Sequence, residues 1–455
     1  MQNEIRKKPY AWVVAILVVA VVAFAGGYAA HPTTIAATPK VNVTFYESLA
    51  PSESSYFQNT LIPQFEQLHP NITVSFVNLP SGQPASEIQT LVQSHDVGAS
   101  LVGLDNLLVG EVIYTPTGSD LMNLNPILST MMPSGLIPSA VNMTHYEQTV
   151  FGATYFIPFR SNIPLVFYSK TAFANAGITS PPANWNAMLS AAQKLGNQSV
   201  MFQGAANTGT HTGSSTATEM YQWMVQAGGN PFVLNDSGDL AAWQYIYNLS
   251  GYFNPGYTGG YWGSYAGLAK GSYQILDYQW PYIYTQLTTN ATYGMSSSTL
   301  GVYPGPVGPK NGNHLLGGDV LVIPKGATNL PQIESLANFL LGAQAQRETL
   351  LNLSWVAVNS AAYTNLPANY SQVGSALQQA ISTGVFLRNP TPWISYWQVV
   401  CSDAFTQIIV NHASFSTIPS ILSTYNHQMY TYLQTTYNST VANTYESGGY
   451  APISV

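Results

Sequence analysis

The chain has 455 residues, 46% of them apolar, which allows two or three domains of roughly 100–200 residues each and excludes wholesale disorder. Asp, Glu, Lys and Arg together make up only 7%, against about 25% in an ordinary soluble protein. With a net charge of −7 no basic stripe is left for phosphates, which argues against nucleic-acid binding.

The single cysteine, Cys401, leaves no intrachain disulfide, no all-cysteine metal site and no lipid-anchored N-terminus. The polar surface must be built from Asn, Ser, Thr, Gln and the 30 tyrosines. Ordinary carboxylates lose their charge in strong acid and leave the cations to repel, whereas neutral hydrogen-bonding groups barely change. This composition reads as adaptation to an acidic exterior, such as that of a thermoacidophilic archaeon; drift in a low-charge secreted protein would give the same composition.

Residues 11–30, AWVVAILVVAVVAFAGGYAA, carry no charge and are preceded by Arg6-Lys7-Lys8, with no Lys or Arg following until Lys40. At about 1.5 Å per residue the segment spans a hydrocarbon core. The positive-inside rule leaves residues 1–10 cytoplasmic and everything after residue 30 outside. The segment reads as a retained transmembrane helix, which its full length favours, or as a cleaved signal with Ala23-Phe24-Ala25 as its small-residue site. A Thr/Ala/Pro linker occupies 31–40. Asn-x-Ser/Thr sequons at Asn42, Asn71, Asn142, Asn197, Asn235, Asn248, Asn290, Asn352, Asn369 and Asn438 suit an exported glycoprotein.

Strand and helix signals then alternate. Strands are predicted at 41–46, 72–77 and 99–104, with helices at 53–68 and from 87 to 93. This βαβαβ rhythm predicts an α/β fold with a parallel sheet, whose ligands collect at the carboxyl ends of the strands. A second cycle begins at Ile157, with a strand at 165–168 and helices at 170–176, 185–195, 216–227 and 240–249. Further helices are predicted at 333–341, 343–351, 396–410 and 418–436.

The stretch IPFRSNIPLVFYSKTAFANAGITSPPANWNAMLSAAQKL (157–195) resembles the signature of family 1 extracellular solute-binding proteins, the maltose-binding-protein-like subunits of ABC importers. Pro158, Tyr168, Lys170, Ala176-Gly177, Pro181-Pro182 and Trp185 carry the resemblance. QAGGNPFVLNDSGDLAAW, LAKGSYQILDYQW, GVYPGPVGPKNGNHLLGGDVLVIPKG and RNPTPWISYWQVV follow in the family's order, so the resemblance runs from about 41 to 440. It implies a two-lobe periplasmic-binding-protein-like fold with crossing hinge strands that closes over solute. Lobe one would comprise 41–157 and 316–358, lobe two 160–312 and 362–455. The implied function is capture of a mono- or oligosaccharide on the outer face of the membrane and its delivery to ABC permease subunits, without catalysis and without a cofactor or metal.

A sugar needs fixed donors and acceptors around its edge and aromatic plates on its faces. By the resemblance, Asp105-Asn106 stands where the family carries a hydroxyl-binding pair, although two such residues also suit a helix cap. Asn162 matches a crossover position that often holds a carboxylate. Its neighbour Arg160 is a candidate for the cleft or for an ion pair. Trp280 with Tyr278 matches the second-lobe stacking aromatic, and Trp393 and Trp397 a late one, with core packing as the alternative for each. Arg388, Asp319 after the Gly317-Gly318 turn, and Glu47-Ser48 after the first strand complete the candidates.

A secreted glycosidase is the competing reading, but it needs two carboxylates about 5–10 Å apart, and the 19 acidic residues are scattered mostly singly. Asp236-Ser237-Gly238 is the only triplet of acid-protease type. No Gly-x-Ser-x-Gly elbow or His-Glu-x-x-His pattern occurs.

Overall fold

The computed structural model describes residues 40–454 except 81, 133, 203–213, 259–264 and 368–369. The expected membrane segment, nearly all of the linker and the sequon at Asn369 lie outside these residues. Among the described residues no helix is long and apolar enough to cross a membrane.

The strands, in chain order, are β1 (Val41–Glu47), β2 (Ile72–Asn78), β3 (Ser100–Asp105), β4 (Phe156–Pro158), β5 (Arg160–Ser161), β6 (Leu165–Ser169), β7 (Val200–Met201), β8 (Ile275–Gln279), β9 (Leu300–Tyr303), β10 (His314–Leu315), β11 (Asp319–Val322), β12 (Val356–Ala357), β13 (Val385–Leu387) and β14 (Ile453–Ser454). The first sheet has the order β2-β1-β3-β11-β4. β1 pairs in parallel with both β2 and β3, as the βαβαβ rhythm predicts. The sheet as a whole is mixed, because β11 lies antiparallel between β3 and β4: the chain re-enters this lobe from the far end after traversing the other one. β1 alternates in the way a strand with one core face must, with Val43 and Phe45 buried. Phe45, Phe57, Phe65, Phe159 and Trp355 fill the space between its sheet and the helices.

The second lobe carries the sheet β7-β8-β6-β9, with β6 antiparallel to β8 and β9. Helices Ser214–Gln226, Ser237–Ser250, Ile394–Phe405 and Ile418–Thr436 belong to it. Trp223, Trp243, Trp393 and Trp397 are fully buried there. A small sheet of order β10-β13-β14 stands beside it.

Three chain segments pass between the lobes and pack against one another. β12 pairs antiparallel with β5, Val356 opposite Ser161, and Asn162 exchanges both backbone hydrogen bonds with Gly317, at 2.9 and 2.8 Å. Gly318 has a φ of +121°, and a Cβ there would collide with the carbonyl of Arg160. Only glycine allows the first two crossings to lie this close.

Candidate ligand-binding cleft

Asp105 ends β3 and turns the chain into a 3-10 turn, Asn106–Leu108, which it caps by accepting from Leu107 N at 2.9 Å. Asn106 donates from its backbone N–H to Gly318 O (3.0 Å) and from Nδ2 to Leu316 O (3.3 Å), so it is fastened to the second crossing. Across the cleft, Arg388 follows β13 and is 8% exposed. Its Nη1 donates to Thr218 Oγ1 at 3.1 Å in its own lobe, and its Nη2 lies 3.4 Å from Asn106 Oδ1 and 3.5 Å from Asp105 Oδ1 in the other. Nε donates to no described residue. Burial lowers the Arg388 pKa, with Asp105 and Tyr221 opposing. The helix-cap and hydroxyl-binding readings of Asp105 are compatible, since one side of its carboxylate serves the cap while the side chain stays 48% exposed.

Arg160 forms an ion pair under the cleft rather than a ligand contact. Its Nε donates to Asp319 Oδ2 and its Nη1 to Glu53 Oε1 at 3.3 Å, and its guanidinium lies 4.1 Å from the centre of the Trp355 ring. Trp355 Nε1 also donates to Glu53 Oε1, at 2.6 Å. Arg160 therefore joins all three crossings, because Asp319 and Trp355 stand on the other two. Glu47 is 1% exposed, and its Oε2 fills the space left by the missing side chain of Gly103, where it accepts no hydrogen bond. Burial and the neighbouring Asp319 push Glu47 well above its usual value, and burial brings Asp319 up to about 6 despite Arg160. Burial alone would lower the Arg160 pKa, but Asp319, Glu53 and Glu47 hold it above its ordinary value. Both carboxyls are therefore harder to ionise than usual, and Asp319 is the one that touches the cation. Glu47 and Asp319 thus lie beneath the cleft floor, out of reach of solute. Glu53 had no sequence signal beyond its place three residues after Ala50, whose N–H it caps at 2.9 Å.

Of the four candidate aromatics, Trp280 stays at the cleft. It is half-buried, and a Cβ on Gly317 would stand 3.4 Å from its ring, so the indole lies against the second crossing beside Asn162. Tyr278, Trp393 and Trp397 do not line the cleft. Tyr278 is fully buried and meets Trp223 edge-on at 5.1 Å, with its hydroxyl accepting from Gln226 Nε2 at 2.9 Å. A φ of +29° and a register shift opposite β6 turn it inward, so all of β8 is buried instead of alternating. Trp397 donates to Pro231 O at 3.1 Å and packs edge-on against Tyr221 and Phe232. Trp393 packs against Phe232, Tyr445 and Tyr450. Large indoles on a helix that faces a lobe core pack into that core, because it offers more apolar contact than a wet groove.

Asp236 of the acid-protease triplet caps helix Ser237–Ser250, accepting from Gly238 N and Asp239 N at 2.8 Å each. Among the described residues no group of three or more His, Cys, Asp or Glu could hold a metal ion.

The chain belongs to the family of bacterial extracellular solute-binding proteins, whose sequence profile matches residues 50–347. Members of this family bind substrates for transport and are not enzymes. One relative is the Deinococcus radiodurans "Probable ABC transporter-binding protein", 22% identical over 296 residues, 62% of this chain and 68% of the relative. Among solved structures the fold is similar to the GacH receptor of Streptomyces glaucescens, known unliganded and with acarbose (TM-score 0.71, 18% identity, 88% of this chain and 99% of that one). It is similar also to maltose-bound T. maritima MalE3 (0.70, 16%, 86% and 100%) and to a chitin oligosaccharide binding protein (0.67, 15%, 86% and 98%).

Proposed function

We propose that this chain is the solute-binding subunit of an ABC importer that captures a sugar between its lobes and delivers it to permease subunits without altering it. The observation that carries the reading is the half-buried Trp280 ring against Gly317, an apolar plate at the crossing strands. Asn162, Asn106, Asp105 and the spare Nε of Arg388 supply hydroxyl partners around it. Of the solved structures that share the fold, one is known with acarbose, one is maltose-bound and one is a chitin oligosaccharide binding protein, which supports the same ligand class here. In this reading lobe one comprises 41–157 and 316–358 and lobe two 160–312 and 362–455. Residues 11–30 hold the subunit on the outer face of the membrane.

Titration calorimetry with maltose, acarbose and chitin oligosaccharides should find a binder that chromatography recovers intact after prolonged incubation. Trp280→Ala should weaken that binder by roughly 1–3 kcal/mol, the scale of one buried aromatic surface. Unchanged affinity in the variant, or turnover of the sugar, would overturn the reading. In fractionated cells the protein should stay in membranes through carbonate and high salt and be released by detergent. A soluble mature form starting near residue 26 would instead show a cleaved signal.

A further inference from the structure

Two stretches from opposite lobes run side by side next to the candidate site, 105–111 from lobe one and 388–395 from lobe two. At one end Arg388 bridges to Asp105 and Asn106. In the middle a Cβ on Gly110 would stand 2.7 Å from the N, C and O atoms of Thr391, so the two backbones meet with no side chain between them. At the other end Glu111 Oε1 accepts from Ser395 N at 3.1 Å. Ser395 lies in the first turn of helix Ile394–Phe405, which has no side-chain cap of its own. A carboxylate of one lobe therefore caps a helix of the other, where unsatisfied N–H groups and the positive helix end favour an anion.

We infer that this seam is a closure latch and that Gly110 and Glu111 are positioning residues for the solute site. Bringing the lobes together completes the helix Ile394–Phe405 and seats Arg388 on Asp105 and Asn106, so closure is favoured by contacts within the protein before any solute arrives. Opening leaves the helix end bare and the buried Arg388 without its partners in lobe one. The solute then binds polar groups whose orientation is already set, and a loss of the latch lowers affinity by lowering the closed fraction.

The test needs no sugar and stands apart from the choice of ligand. The full-length chain in detergent is spin-labelled at Ser86→Cys and Ser420→Cys, which are exposed on helices Gln83–Ser94 and Ile418–Thr436 of the two lobes, while Cys401 is buried and stays unlabelled. Pulsed dipolar spectroscopy then reads the interlobe distance. Gly110→Ala should move the distribution to longer distances. Gly110 lies inside the helical turn Val109–Ile113, where alanine is the better helix former, so an opening in this variant comes from the seam. Glu111→Ala should shift the open-to-closed ratio by about fivefold, the loss of one helix cap, and Glu111→Gln by less, because the amide keeps an acceptor. If circular dichroism shows that Gly110→Ala does not fold, the two Glu111 variants decide. A wild-type distance distribution in Glu111→Ala, whatever its melting temperature, overturns the latch.

Discussion

Lowering the pH from 7 to about 4 should stabilise this protein against unfolding by a few kcal/mol, opposite to the usual acid response of a soluble protein. The cause is a set of buried carboxyls. Asp277 is 0% exposed, paired with Glu219 in the core of lobe two, and burial pushes it up to about 7. Burial also raises Asp239 and Glu47 well above their ordinary values and brings Asp319 to about 6. A carboxyl whose folded pKa exceeds its unfolded one binds a proton on folding, so its ionisation destabilises the folded state as pH rises between the two values. For Asp277 and Asp319 that window runs from about 4 to 6–7. At about 1.4 kcal/mol per unit each contributes on the order of 2–4 kcal/mol, and less where two share a proton. His314 opposes them. It is 2% exposed, and burial holds its pKa down at about 4, so acid costs stability between about 6.5 and 4 at this one position. Four carboxyls outweigh one imidazole. Urea unfolding from pH 4 to 7 should show the slope, flattened in Asp277→Asn and steepened in His314→Gln. Stability that falls steadily from pH 7 to 4 in the wild type would refute the account.

The elements of this fold were legible because they depend on local pattern. The helix predicted over 185–195 is the observed Trp185–Leu195, with Met188, Ala191 and Ala192 on one buried stripe and Asn184 capping through Ala187 N at 3.0 Å. Strand direction was less legible. β11 looks like any apolar strand, and only the path of the chain through the other lobe makes it antiparallel. The site was half legible. A resemblance gives a residue's position along the chain but not the direction its side chain takes, which is how Tyr278, Trp393 and Trp397 were expected at the cleft and stand in the core. Asp105, Asn106 and Arg388 were named by the same means and do meet one another, and Trp280 lies against Gly317, because loops at strand ends have fewer directions open to them. Glu111 and Thr218 gave no signal, since the contacts that matter here join each to a partner more than a hundred residues away, and Glu53 showed only its local cap on Ala50 and not its pairing with Arg160. Arg160 was noticed as the neighbour of Asn162, and its ion pairs followed only from the three crossings that meet on it.

Arg160→Met should destabilise the protein by about 3–5 kcal/mol at pH 7, the scale of removing one partner from a buried ion pair. Methionine fills similar space over Trp355 but removes the cation that Asp319 and Glu53 face, and both of these are buried. Arg160→Lys should recover only part of the loss. An ammonium cannot donate to two carboxylates in fixed directions while lying flat on an indole, as the guanidinium does at 4.1 Å. The loss should also depend on pH with a definite sign. As pH falls through the Asp319 value of about 6 the carboxyl becomes neutral and needs the cation less, so the deficit of Arg160→Met should shrink towards pH 4. A second substitution, Asp319→Asn, should likewise restore part of the stability of Arg160→Met at pH 7, because an amide is cheaper to bury than an unpaired charge. Denaturant unfolding of wild type, both single variants at Arg160 and the double variant at pH 7 and 4 measures all of this. A deficit below about 1 kcal/mol at pH 7 would place the node among exposed ion pairs of little consequence. A deficit equal at both pH values would mean that Arg160 acts through packing on Trp355 rather than through charge.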